Sequence, residues 1–224
     1  MKTYLLTALN LLFCLTLAGQ DKSALELDIE QQGFVDLQEI SPSILVDLMY
    51  TRADNFTGKI LYTDLHHGYL HPETAAALDL AQKKLKSIRP DLSLKVYDAA
   101  RPMRIQQKMW NVVAGTPKNI YVSNPKNGGG LHNYGLAVDI TLCDAATGDT
   151  LHMGTKVDFL GNLAHVRDEA LFFKKKQLTQ EAIDNRKLLR KAMESAGFKV
   201  LPTEWWHFNY RSRAEAKARY KAIQ

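Results

Sequence analysis

Two segments far apart in the chain, GGGLHNYGLAVDIT at 128–141 and PTEWWHFNY at 202–210, place the tightest constraint on how this sequence can fold. Between them they hold His132, Asp139, Glu204 and His207, and Gly128, Gly129 and Gly130 let the backbone approach closely just before the first histidine. Two neutral imidazoles and a carboxylate make a three-ligand shell that leaves one position of a tetrahedral metal open, and an unligated carboxylate beside it can take a proton from water. The chemistry that such a shell permits is hydrolysis, provided that the fold brings the two segments together. Taken singly, a His seven residues before an Asp, or a Glu-x-x-His, is more often a hydrogen-bonded core or surface pair. The conjunction carries the signal, and Trp205, Trp206 and Phe208 can wall the site off from water, where charges are less screened.

Local pattern supports this placement. Leu136, Val138 and Ile140 face one way on a strand over 136–142, which leaves Ala137, Asp139 and Thr141 on the other face. Glu204 and His207 stand three apart, so on a regular strand they point to opposite faces. They can share a site only if the backbone departs from regularity, and Pro202 predicts an irregular section or bulge ahead of Glu204 within a strand region over 198–210. Short strands are expected over 44–50 and 59–62, joined by a turn-rich 53–58. Pro72 opens a helix with Leu78, Ala81, Leu85 and Ile88 on its buried face. A strand over 93–97 exits through 98–101 into a helix over 103–113, which puts Arg101 at a strand-to-helix junction where a rigidly held side chain can meet substrate. Residues 117–130 read as a long irregular loop. Thr179 caps a helix that runs to about Ala196 and stops at Gly197. Strands, a long helix, further strands and a late helix define an α+β domain with helices against a largely antiparallel sheet.

Residues 1–19 read as a secretory signal peptide: Lys2 supplies the positive start, an apolar run spans about 4–17, and Ala18 and Gly19 offer a small-residue cleavage site. The run is shorter than the ~20 residues of a membrane-spanning helix, so no stable membrane insertion is expected after cleavage, and Cys14 lies inside the run instead of after the small residues where a lipid would attach. Residues 20–224 then form a single domain, exported to the periplasm or secreted. Only Cys143 remains in it, which excludes an intrachain disulfide. The net charge of +5 is concentrated in Lys174–Lys176 and Arg211–Lys221, but no aromatics alternate with these charges as a base-stacking platform would require. Solvated helix faces, and no nucleic-acid partner, are expected.

The segments HNYGLAVD and EWWH resemble the His-x-x-Gly-x-Ala-x-Asp and Glu-x-Trp-His motifs of the VanX-type zinc D-alanyl-D-alanine dipeptidases, within the wider group of D,D-peptidases and the Hedgehog fold. DNFTGKILY at 54–62, ARP at 100–102 and MGTKVDF at 153–159 resemble further motifs of the family in the same order, and the likeness runs from about Asp47 to Tyr210. The resemblance implies a Hedgehog/D,D-peptidase-like α+β fold and one Zn2+ held by His132, Asp139 and His207. It also implies Glu204 as general base and then acid, Arg101 as the residue that stabilises the oxyanion, and a small D,D-dipeptide or peptidoglycan fragment as substrate. Asp158 would receive the substrate's ammonium, against the plainer alternative of an Asp that caps a turn. A Ser or Thr usually stands in this family where this chain has Gly130, so the dipeptide's carboxylate needs another partner, such as a backbone amide or Tyr134. A D,D-carboxypeptidase for longer wall peptides and a noncatalytic zinc-containing wall-binding module are the alternatives.

Other candidates carry less. His66, His67 and His71 sit in a loop-like stretch and are expected at the surface. His152 and His165 are expected to be structural, with support of the metal site as the alternative. Cys143 is expected to pack without binding metal, and Met109 and Trp110 to belong to the core.

Overall fold

The computed structural model describes residues 22–224; the expected signal segment lies outside them. In chain order the elements are α1 (Ala24–Gln31), β1 (Val35–Asp36), α2 (Leu37–Ile40), β2 (Leu45–Val46), β3 (Tyr69–Leu70), α3 (Pro72–Ile88), β4 (Leu92–Asp98), α4 (Met103–Val113), β5 (Ala137–Asp144), α5 (Glu169–Lys174), α6 (Gln180–Ser195), β6 (Lys199–Leu201), β7 (Glu204–Asn209) and α7 (Arg213–Arg219). A five-stranded sheet has the order β2-β4-β5-β7-β6, antiparallel except for the β2–β4 pair, and β1 pairs with β3 separately. The expected α+β architecture with a largely antiparallel sheet is thus present.

The long helices form where the sequence predicts. Pro72 occupies the first turn of α3, and Leu78, Ala81 and Leu85 are buried. Thr179 accepts from the Ala182 amide to cap α6, and Gly197, at φ +90°, follows its end. Both helices bury their apolar stripes with Leu94, Val96, Val138, Ile140, Leu142, Trp206 and Phe208 of the sheet in one core. A second core gathers Ile29, Tyr50, Tyr62, Leu65 and Tyr69 around Ile105, Met109 and Val113 of α4. Among the described residues, no helix is long and apolar enough to cross a membrane.

Two expectations need correction. Residues 59–62 form no strand: the Leu61 and Tyr62 amides both donate to the Tyr50 carbonyl, a single anchoring point instead of a ladder. The strand expected over 44–50 shrinks to Leu45–Val46, and Met49–Thr51 tighten into a 3-10 turn that buries Met49 and Tyr50. The stretch 117–130 contains 3-10 turns at Pro117–Tyr121 and Pro125–Asn127, each started by a capping side chain, Thr116 and Asn124.

The ladders on the two sides of β5 differ in regularity. On its β4 side Val96 faces Ile140 but Asp98 faces Asp139, so Tyr97 is an extra residue that turns Asp98 toward Asp139. On the far side, β7 pairs regularly with β5, His207 opposite Asp139, whereas its ladder to β6 jumps from Val200–Phe208 to Leu201–Glu204. That jump is the departure from regularity which the Glu204 and His207 spacing demands. Gly135 ends the 3-10 turn Leu131–Tyr134 in the left-handed region, at φ +63°, and leads into β5. A Cβ there would lie 2.7 Å from the His71 amide nitrogen and 2.6 Å from the Phe34 ring. Gly135→Ala is therefore expected to lower the urea midpoint by an amount equivalent to more than about 1 kcal/mol; an unchanged midpoint would show that the backbone yields freely at this corner.

Candidate metal centre and active site

The 3-10 turn carrying His132, the middle of β5 and the bulged β7 converge on one point. His132 Nε2 lies 3.1 Å from His207 Nδ1 and 3.4 Å from Asp139 Oδ1, and His207 Nδ1 lies 3.0 Å from the same carboxylate oxygen. The opposite ring nitrogens settle what these atoms are. His132 Nδ1 faces the Ala99 carbonyl at 2.7 Å, and His207 Nε2 faces the Asn209 side-chain oxygen at 2.9 Å. Each of those contacts needs the proton on the outer nitrogen, which leaves two bare imidazole lone pairs and a carboxylate oxygen pointed at one another. Three acceptors at that separation repel unless a cation lies between them. Their spacings match the edges of a tetrahedron, about 3.3 Å for ligand bonds of about 2.0–2.1 Å. His132, Asp139 and His207 are also the group that can hold a metal ion among the described residues.

Arg101 stands beside this group in a cage the sequence only partly announces. Its Nε and Nη2 both donate to Asp98 Oδ2, at 2.9 and 2.5 Å, its Nη1 donates to Gln106 at 2.9 Å, and its Nη2 lies 3.7 Å from Asp139. The guanidinium also sits 5.5 Å from the centre of the Tyr50 ring. Burial would lower its pKa, but Asp98, Tyr50, Tyr62 and Asp139 outweigh that and raise it, so the charge is permanent. Tyr62 donates to the other oxygen of Asp98 at 2.5 Å. Asn133 ties Arg101 to the metal turn: its amide donates to the Arg101 carbonyl at 2.7 Å while its side-chain oxygen accepts from Gly130 N at 2.8 Å. Asp98, Gln106, Asn133 and Asn209 were not singled out by sequence. Asp98 at three residues before Arg101, and Asn209 two after His207 on the same strand face, were the available signals.

Glu204 is buried, 6 % exposed, and its carboxylate has no hydrogen bond within the described chain. Burial pushes it up to about 8; His207 and Arg101 oppose that, while Asp139 and Asp158 add to it. Asp158 lies at the same cleft in a left-handed conformation, φ +69°, uncommon for a residue with a Cβ. Its two oxygens accept from Tyr50 Oη and Phe56 N, each at 3.0 Å, and burial pushes it up to about 6. The Phe56 bond is the turn-capping contact; it leaves acceptor capacity on both oxygens for a ligand. Tyr134, expected near the substrate, is turned elsewhere. Its hydroxyl donates to the Gly128 carbonyl at 3.0 Å and its ring packs with Leu131, Leu136 and Ala216, away from the cleft lining. The cleft, about 960 Å3, brings Arg101, His132, Asp139, Asp158, Glu204 and His207 to one space.

The profile of the D-ala-D-ala dipeptidase family, peptidase M15, matches residues 30–224. The chain belongs to this family. It is 34 % identical over 176 residues to the D-alanyl-D-alanine dipeptidase of Escherichia coli (strain K12), covering 78 % of this chain and 82 % of that one. Identity to the D-alanyl-D-alanine dipeptidase of Enterococcus faecium is 27 % over 201 residues, 80 % of this chain and 92 % of that one. The namesake from Streptomyces coelicolor is 28 % identical over 196 residues, 80 % and 91 % of the two chains.

In this D-ala-D-ala dipeptidase family member the remaining histidines stay outside the metal group. His67 pairs with buried Glu26 at 2.9 Å, His71 faces Glu73 at 3.6 Å, and His66 and His152 are exposed. His165 is buried and bridges Tyr121, which lines the cleft, to Asp168. Cys143 is buried under Ser93 and packs as expected. Met109 is core, and Trp110 is half-buried, packed against the same core while also lining the cleft.

The outer contacts generate two predictions. Asn209→Ala removes the acceptor that orients His207 and should weaken divalent-metal affinity about 10- to 100-fold in a chelator-competition titration; unchanged affinity would mean that the ring is held by packing alone. For Glu204, the folded value of about 8 lies above the ordinary 4.5. Metal-free folded protein then holds a proton that the unfolded chain has released between those values, so this group's contribution to stability falls as pH rises across the window. Metal-free Glu204→Gln protein should accordingly melt above wild type by a margin that grows between about pH 5 and about pH 8, and a margin independent of pH would contradict the assignment.

Proposed function

We propose that this protein is an exported zinc dipeptidase that hydrolyses D-Ala-D-Ala to D-alanine, acting in the periplasm or outside the cell. The observation that carries the reading is the pairing of a three-atom metal group with a buried, unligated Glu204 and a caged Arg101 in one cleft. Family membership and relatives named as D-alanyl-D-alanine dipeptidases support the substrate. Zinc suits two imidazoles and a carboxylate, and when bound it supplies Lewis acidity toward a carbonyl oxygen and acidifies water near neutral pH. Export rests on the sequence of residues 1–19, and it directs the enzyme to released wall fragments.

The chain's own residues divide the remaining work. Glu204 takes the proton of the attacking water and returns it to the leaving amine. Its raised value serves both tasks, since a cation at the neighbouring ligands would draw it down toward neutrality, where a group can act as base and then as acid. Arg101 keeps N–H donors toward the oxygen on which negative charge develops, and Asp98, Gln106 and Tyr50 hold it still so that no reorganisation is needed as the charge appears. Asp158 receives the substrate's free ammonium; its two standing hydrogen bonds fix the carboxylate in place. A noncatalytic wall-binding module has no use for a positioned base and a preorganised guanidinium. The breadth of the cleft, about 960 Å3, favours one second reading, a D,D-carboxypeptidase for longer peptidoglycan peptides.

The expected outcome is D-alanine release from D-Ala-D-Ala by zinc-loaded protein, abolished by chelator and restored by zinc. Arg101→Ala should lower kcat about 100- to 1000-fold, and Glu204→Ala about 100- to 10,000-fold. Asp158→Asn should harm the dipeptide reaction more than hydrolysis of an N-acylated tripeptide; the reverse preference would favour the carboxypeptidase. Zinc-loaded protein that turns over no D,D-dipeptide would end the proposal.

A further inference from the structure

The cleft wall beside the metal turn carries a hydroxyl where the sequence has a glycine. Gly130 lies two residues before His132 and lines the cleft. A Cβ built on it would stand 2.9 Å from Ser123 Oγ and 3.2 Å from Ser123 Cβ, with no other atoms within 4 Å beyond its chain neighbours. Residue 130 and Ser123 therefore compete for one volume. Gly130 cedes it, and Ser123 fills it from a different part of the chain.

Ser123 is held in register with the catalytic group. Its carbonyl accepts from Gln106 Nε2 at 2.8 Å, and the same Gln106 accepts from Arg101 Nη1 at 2.9 Å. One side chain thus spaces Ser123 from the guanidinium. The Ser123 hydroxyl makes no hydrogen bond to any described residue, and Ser123 lines the cleft beside Gly130. The polar groups around it are already engaged: Tyr134 donates to Gly128, and Asn133 bridges Gly130 and Arg101.

On the dipeptidase reading, which this inference rests on, the scissile carbonyl faces Arg101 and the ammonium faces Asp158. The charged group left over is the carboxylate of the leaving residue, two bonds from the scissile nitrogen. It needs a donor close to Arg101 that is not already bonded. We propose that Ser123 is a specificity-determining residue whose hydroxyl donates to the substrate's terminal carboxylate, and that glycine at 130 is what makes room for it.

Binding of D-Ala-D-Ala and of its C-terminal amide can be measured calorimetrically on zinc-loaded protein carrying Glu204→Gln, so that the ligand is not consumed. Adding Ser123→Ala should weaken the free acid about tenfold and the amide about twofold or less. The double change Ser123→Ala with Gly130→Ser returns a hydroxyl to the same volume from the opposite side and should recover most of the loss. Free-acid affinity that is indifferent to Ser123→Ala, equal losses for acid and amide, or no recovery in the double variant each overturn the role of Ser123. Absence of any dipeptide binding while Ser123 is intact overturns the dipeptidase reading instead, and the inference with it.

Discussion

A buried carboxylate with another carboxylate opposite it and two imidazole lone pairs aimed at it is the constraint on which the site depends. Asp139 faces Asp98 across one neighbouring strand and His207 across the other. Left alone, such a cluster is repulsive, and in a medium of low dielectric the repulsion is large. Arg101 relieves one side by bonding to Asp98 and approaching Asp139 at 3.7 Å. The imidazoles are denied the protons that would relieve the other side, because the Ala99 carbonyl and Asn209 hold them on the outer nitrogens. The arrangement suits a divalent cation, which would replace the repulsion among the three acceptors with attraction.

The same constraint explains why the β5–β7 ladder is regular while the β4–β5 and β6–β7 ladders shift register. An undistorted β4 would turn Asp98 away from Asp139, and an undistorted β7 would send Glu204 and His207 to opposite faces. Each deformation lies where apolar packing can hold it. Trp205 and Trp206 in the β7 bulge are 1 % exposed and stack edge to face, and Trp205 also bonds Thr155. Tyr97 is the extra residue on β4, and Asp98 beyond it is locked by Tyr62 and Arg101. Separate cores grip the sheet and α4, which fixes the strands that carry Asp139, Glu204 and His207.

Much of this was legible residue by residue. The alternation around Asp139 separated it from Val138 and Ile140 because strand geometry alternates whatever the context. The three-residue spacing of Glu204 and His207, with Pro202 nearby, demands an irregularity in the strand. Helix ends at Pro72, Thr179 and Gly197 followed from local capping chemistry. Less was legible where a side chain's partner comes from a distant part of the chain. Lys59–Tyr62 has strand-forming residues yet forms none, since its amides find the Tyr50 carbonyl. Tyr134 sits beside the metal turn in sequence, but it is packed on Ala216 and bonded to Gly128. The orientation of Arg101 depends on Asp98, Gln106 and Tyr50, of which Tyr50 comes from a distant part of the chain.

By itself the sequence determined which chemistry was available: a set of two imidazoles, a carboxylate and a free acid, the α+β class, and the strand face that Asp139 would occupy. These follow from residue type and from periodicities that belong to the backbone. Tertiary structure alone decided the tautomers of the two histidines, the cage around Arg101, the turning away of Tyr134 and the filling of the Gly130 space by Ser123. Most of those depend on which backbone carbonyl or side chain arrives within about 3 Å from outside the local segment, a distance that hydrogen bonding requires; the Asn209 contact of His207 and the Asp98 contact of Arg101 are the local exceptions.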